Sequence, residues 1–234
     1  MALKDELSEA VSDIFKGVWA ETEGRVVPSP DDVGLGNKAV QLPEASVLYA
    51  DLSSSTKLVD SFPWSFVAEM YKSYLYCAAR LIRSEGGTIT AYDGDRIMGI
   101  FIGDSQSTSA ARCGLKINWV VGQLINPAIK KHYPSTAYVM KQTVGIDRSV
   151  IRAARTGVRG DNDLVWIGRA ANYAAKLTEL SPSHPTRITK AMYDKLHSSL
   201  KYGGPNKDQP MWEKVTWSVM DDKEIYRSTW HWPL

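Results

Sequence analysis

The chain has 234 residues, of which 44% are hydrophobic and 23% charged, with a net charge of +2. That is enough to bury roughly 70–75% of the unfolded surface without disulfides or structural metals. The balanced, scattered charge argues against nucleic acid or a membrane surface as partner, and no apolar run approaches the ~20 residues of a membrane span.

Leu3, Leu7, Val11, Ile14, Phe15 and Val18 recur at helical spacing and predict an amphipathic helix over 3–19 that packs on the domain or on a second copy of it. The acids near Met1 exclude a secretion signal, so a cytoplasmic protein is expected. Residues 21–43 read as a polar linker rich in Gly, Pro and Asp. The chain thus divides into an arm, 1–43, and a single domain, 44–234. Cys77 and Cys113 fall inside helical patterns and read as small core residues.

An apolar strand over 45–51 ends in Asp51 and is followed by Ser53, Ser54, Ser55 and Thr56, side chains suited to a helix N-cap. A helix then carries the stripe Phe66, Val67, Met70, Tyr71, Tyr74, Ala78, Leu81 and Ile82 and stops at Gly86-Gly87. Strands over 88–92 and 96–101 flank the hairpin signal Asp93-Gly94, which delivers Asp95. The order strand, helix, strand, strand opens a ferredoxin-like α+β fold. A helix over 107–125 bounded by Asn126-Pro127 comes next, then strands over 138–147 and 148–154 and a polar loop over 155–163. A strand over 164–167, a helix over 169–180, a strand over 186–189 and a helix over 191–196 follow, and the last thirty residues alternate apolar and polar around Trp212, Val215, Trp217, Ile225 and Tyr226. No internal repeat is present.

If the strands before Asp51 and after Asp95 pair, both carboxylates lie at one end of one sheet. Two oxygen donors beside a turn of backbone N–H groups suit divalent metal and phosphate. The Leu52 carbonyl adds a third donor, and the N–H groups of Ser53 to Thr56 offer a phosphate cradle. The plainer reading makes both acids turn or capping residues.

Three stretches carry a resemblance: Tyr49-Ala-Asp-Leu-Ser-Ser-Ser-Thr56, Gly94-Asp-Arg-Ile-Met98 with Phe101, and Gly168-Arg-Ala-Ala-Asn172-Tyr-Ala-Ala-Lys176. In order and spacing they resemble the class III nucleotidyl cyclase catalytic domain over roughly residues 45–230. The resemblance implies a central, mainly antiparallel sheet flanked by helices and a head-to-tail homodimer with two sites at its interface. In each site one protomer would present Asp51, Asp95 and the Leu52 carbonyl to two metals. The other would present Asn172 to the ribose and Lys176 to the α-phosphate. A nucleoside triphosphate would give a 3′,5′-cyclic nucleotide and pyrophosphate.

The departures from the pattern concern the base. Lys176 stands where the family usually has Arg, keeping the charge and losing the fork. Ala91 and Val165 stand where adenylate cyclases place side chains that read the adenine edge, and the guanine-reading pair is absent too. Tyr49 takes the place of a Phe that lines the base pocket, with Arg96 nearby. A narrowed pocket without purine readers fits a pyrimidine, and the pattern resembles the pyrimidine cyclases of bacterial Pycsar antiphage systems. That group implies UTP or CTP as substrate, Mn2+ (or Mg2+) as metal, and a cyclic product (cUMP or cCMP) acting on a separate effector. UTP is the favoured expectation. A catalytically silent, nucleotide-binding homologue is the competing one. A diguanylate-cyclase-like enzyme lacks its Gly-Gly-acid-acid-Phe turn. Lys214 is the nearest candidate for a triphosphate contact near the C-terminus.

Overall fold

Two long strands form the spine of the sheet. In the computed structural model, which describes residues 2–158 and 160–234, β2 spans Lys38–Leu52 and β5 spans Gln142–Val158. They pair antiparallel from Ala39↔Ala154 to Leu52↔Gln142, broken by a bulge between Leu42 and Ala45. Around them lie β1 (Ala20–Glu23), β3 (Thr88–Asp93), β4 (Arg96–Phe101), β6 (Asp161–Ile167) and β7 (Thr186–Thr189). A separate two-stranded ribbon, β8 (Tyr202–Gly203) and β9 (Gln209–Pro210), precedes β10 (Glu213–Trp217) and β11 (Lys223–Ser228). The main sheet runs β10-β11-β7-β5-β2-β4-β3, with β1 added to β2 and β6 to β5. It is mainly antiparallel; β1–β2 and β5–β7 are parallel.

Seven α-helices accompany the sheet among the described residues: α1 (Leu3–Lys16), α2 (Ser55–Ser61), α3 (Trp64–Ser84), α4 (Gln106–Val120), α5 (Asn126–His132), α6 (Arg169–Thr178) and α7 (Lys190–Asp194). β2 is buried on both faces, which is why it reads as nearly continuous apolar sequence. Leu48, Ala50 and Leu52 meet the inner stripes of α3 and α4. Val47 on the other face meets Ala170, Ala171 and Ala174 of α6. Those alanines, with Gly145 on β5, let α6 lie close to the sheet. A Cβ on Gly145 would fall 2.2 Å from the Ala174 carbonyl oxygen.

The structure revises several expectations. Residues 38–43, expected in the linker, are the first part of β2, so the boundary expected after residue 43 falls within a strand. The two strands expected over 138–154 are one, and most of the polar loop expected over 155–163 continues β5 and begins β6. Arg159 of that loop lies outside the described residues. Asn126-Pro127 does not end a helix. A π-helical turn over Val121–Ile125 joins α4 to α5 and absorbs the proline, which has no N–H to donate. Asn126 instead holds Met140 through paired bonds of 2.8 and 3.0 Å. Helix α1 ends at Gly17 and buries none of its residues on the domain.

Candidate active site

The two acids predicted to share a sheet end do so. β2 and β4 pair with Asp51 opposite Arg96, and the two-residue turn joining β3 to β4 is Gly94-Asp95. Asp95 therefore sits in the turn itself, one residue later than the Asp93-Gly94 signal places it. Gly94 has φ +60°, a conformation that favours glycine. Burial and then the charge of Asp95 push the Asp51 carboxyl up to about 6, while Arg96 and the Leu52 N–H pull the other way. One oxygen of Asp95, Oδ2, is buried with no hydrogen-bond partner.

A half-buried carboxylate beside a second carboxylate with an orphaned oxygen is costly by itself and is relieved by a divalent cation. The donor set therefore fits a metal. Among the described residues no third His, Cys, Asp or Glu joins the pair. Further donors from this chain would be main-chain or hydroxyl and amide oxygens. The Leu52 side chain is buried in the α3–α4 core, which leaves only its backbone to contribute.

The turn after Asp51 differs in detail from its expected capping role. Ser54 takes a left-handed conformation, φ +63°, and its side chain makes no capping bond. The Ser53 N–H is already bound to the Lys141 carbonyl at 2.9 Å, which removes it from a phosphate cradle. The first-turn N–H groups of α2, at Ser55 and Thr56, have no intrahelical acceptor.

Sequence reasoning missed the layer beneath. Tyr71 and Tyr74 read as two members of an apolar stripe. In the structure the Tyr74 hydroxyl donates to the Asp51 carbonyl at 3.3 Å, and burial followed by the charge of Asp95 pushes the Tyr71 phenol above its ordinary value. Their polar tips, three residues apart in a stripe otherwise of Phe, Val, Met, Leu and Ala, were the available signal.

Tyr49 and Arg96 form a unit. The Arg96 guanidinium lies over the Tyr49 ring, 5.3 Å from its centroid, and bonds Asp93 Oδ2 at 2.6 Å. Strand alternation does not turn Arg96 away from Tyr49. Ala91 is half-buried against the α6-side core beside a bulge between Ile89 and Ala91. Val165 pairs with Ala154, eleven residues along β5 from the Thr143 that pairs with Asp51, roughly 36 Å of strand. Both flank a cleft of about 190 Å³ lined by Thr90, Asp163, Leu164 and Trp166 and closed by Pro28 and Ser29 of the arm.

No hydrogen bond or ion pair joins Asn172 or Lys176 to the acids among the described residues. They stand one turn apart on the exposed face of α6, opposite the Ala170, Ala171 and Ala174 face that packs on the sheet. Neither side chain has a hydrogen-bond or ion-pair partner among the described residues. Lys214 is paired with Glu224 at 2.5 Å on the exposed surface of β10.

A uridylate cyclase of Burkholderia cepacia is 52% identical to this chain over 237 residues, and one of Xanthomonas perforans 49% over 235; each alignment covers all of both proteins. The chain belongs to the uridylate cyclase family. No family model matches it. Its fold is that of the class III cyclases: the crystal structure of the guanylyl cyclase Cya2 superposes with a TM-score of 0.68 at 16% identity, over 82% of this chain and 94% of that one. As a member of this family the protein is a nucleotidyl cyclase, and the α+β sheet with flanking helices is the fold expected of one. Among the described residues no helix is long and apolar enough to cross a membrane.

Proposed function

We propose that the protein converts UTP to 3′,5′-cyclic UMP and pyrophosphate in a head-to-tail homodimer. The observation that carries this reading is the division of the site. Asp51 and Asp95 form a charged, incompletely satisfied pair, while Asn172 and Lys176 are exposed and unbonded elsewhere on the same chain. A second copy supplies what each half lacks.

Asp51 and Asp95, with the Leu52 carbonyl, would hold two Mn2+ or Mg2+ ions. Bound metal stabilises charge on the attacking and leaving oxygens of a phosphoryl transfer. Asn172 of one protomer orients the ribose, and Lys176 lays its charge beside the α-phosphate as the 3′-oxygen–phosphorus bond forms and the bond to pyrophosphate breaks. The amides of Ser55 and Thr56 face the phosphates. Lys176 is a point charge rather than a fork, so it contributes charge without bidentate geometry.

The Arg96-capped Tyr49 ring supports a pyrimidine. It takes up space a purine needs, and neither Ala91 nor Val165 offers a side-chain hydrogen bond to a purine edge. Both relatives cited above bear the name uridylate cyclase, which favours UTP over CTP. The product would serve antiphage defence by acting on a separate effector, with the enzyme in the cytoplasm where nucleoside triphosphates are held.

The test is incubation of the purified protein with each of the four ribonucleoside triphosphates and Mn2+, with products identified by mass spectrometry. Cyclic UMP as the main product is expected. No cyclic product from any of them would overturn the enzymatic reading, CTP as the best substrate would replace cUMP by cCMP, and ATP as the best would overturn the pyrimidine reading.

A further inference from the structure

Helix α1 buries none of its residues, yet it carries the apolar row of a core helix. Leu3, Leu7, Val11 and Ile14 step by four, four and three and are all exposed; Phe15 and Val18 beside them are 85% and 90% exposed. Soluble proteins rarely leave a contiguous row of large apolar side chains in water without a partner for it. Asp5, Glu6, Glu9 and Asp13 outnumber Lys4 and Lys16, so the helix is acidic as well as apolar. None of these acids is ion-paired among the described residues.

A complementary surface lies on α3 and β3. Lys72, Tyr76, Arg80 and Arg83 run along the exposed side of α3 with the same steps of four, four and three, about 16 Å of helix. With Ile89 and Tyr92 of β3 they line a groove of about 510 Å³. Tyr76 and Tyr92 are 68% and 58% exposed, and Lys72, Arg80 and Arg83 have no ion-pair partner among the described residues. Tyr and Arg are the side chains that most often anchor a protein interface. Lys and Arg also lay their apolar stems along an apolar face while their charged heads reach its edge. On α1, Glu6 and Asp13 lie two turns apart along one edge of the apolar row, where such heads end.

The groove's occupant is not the helix of the same chain. Asn37 donates to the Ile14 and Gly17 carbonyls at 2.9 and 2.7 Å and ties the end of α1 to the head of β2. Held there, α1 leaves its own groove open. We propose that α1 of one protomer lies in the α3–β3 groove of a second copy, its apolar row on the two tyrosines and the cation stems and its edge acids beside the cation heads. In a two-fold dimer each copy gives one helix and receives one. This docking is independent of the catalytic roles assigned above.

The experiment uses the full chain with Cys77, a half-buried neighbour of Tyr76 on α3, replaced by Ala. One copy carries Tyr76→Cys and the other Leu7→Cys or Val11→Cys, one position for each direction of the helix. The two copies are co-expressed, mildly oxidised and separated on a denaturing gel. A disulfide-linked pair of the two different chains is expected, absent when either variant is expressed alone. No cross-link from either position would overturn the docking, whatever the mass of the dimer. A disulfide formed only within a chain carrying both substitutions would overturn it too, by placing α1 in its own groove. In the native background Val11→Asp should raise the dimer dissociation constant about tenfold or more by analytical ultracentrifugation, the effect of losing a central anchor. The Tm of its monomer should hold, because α1 buries nothing in its own chain. Arg80→Glu with Arg83→Glu should also weaken the dimer, and adding Glu6→Arg with Asp13→Arg should recover part of the loss. A dissociation constant within about twofold of wild type in Val11→Asp would contradict the docking.

Discussion

The β2–β4 end of the sheet and the outer face of α6 could hardly differ more. At the sheet end, Asp51 feels the charge of Asp95, Arg96 stacks on Tyr49, and the Tyr74 hydroxyl donates to the Asp51 carbonyl. On α6, Asn172 and Lys176 are exposed and have no hydrogen-bond or ion-pair partner among the described residues. The first region holds electrostatic tension that a proton or a metal cation relieves. The second is solvated and unpaired, and in the proposed reading it acquires its role when another copy of the chain is brought to it. A site can thus be half preorganised by one fold and half delivered by another copy of it.

The comparison breaks most sharply at the acids. Asp51→Ala or Asp95→Ala should abolish turnover while the dimer mass by light scattering stays unchanged; near-normal activity in either variant would remove the metal assignment. Asn172→Ala and Lys176→Ala should lower kcat on the order of 10²–10³-fold, the usual effect of losing one transition-state donor. Circular dichroism and Tm should stay at wild-type values, because exposed α6 residues make no core contact. A loss of stability there would mean that α6's outer face is structural.

Acidity distinguishes the regions next. Asp51 is held near 6, above its ordinary value, so the folded, metal-free protein binds that proton more tightly than the unfolded chain does. Metal-free stability should fall as pH rises from about 4 to about 6 and then level off. Metal must displace the proton, so Mn2+ affinity should drop roughly tenfold per unit below pH 6, measured by titration calorimetry. An affinity independent of pH between 5 and 7 would contradict the coupling of Asp51 to the site. Tyr49→Ala should raise ATP use relative to UTP about tenfold by opening the base pocket, read from competition assays. Lys214→Ala should change kcat/KM by less than about twofold, since exposed pairs such as Lys214–Glu224 contribute little.

Much of this was legible in residue order. Asp51 closing an apolar strand and Asp95 in a Gly-containing turn predict their juxtaposition without any structure, because strand pairing leaves few alternatives. The positions of Asn172 and Lys176 on one helical face follow from their spacing of four. The illegible parts have physical causes. The strand start at 38 depends on pairing with β1 and, far away in sequence, with the 152–154 stretch of β5, and the hairpin of β5 with β6 is built from polar residues, so local polarity misread them as linker and loop. The π-turn before Pro127 depends on Asn126 gripping Met140. Tyr74 looks apolar in any pattern count, and only packing reveals that its hydroxyl points at the Asp51 carbonyl.

The central claim is that the two regions work together across a dimer. Asp51→Ala protein has an intact α6 face, and Asn172→Ala protein has an intact acid pair. The measurement is the cyclase activity of the two inactive proteins after they are mixed and allowed to exchange subunits. About a quarter of wild-type activity is predicted, since half the dimers are mixed and each mixed dimer rebuilds one of its two sites. An inactive mixture, with subunit exchange demonstrated by mass spectrometry, would contradict the account.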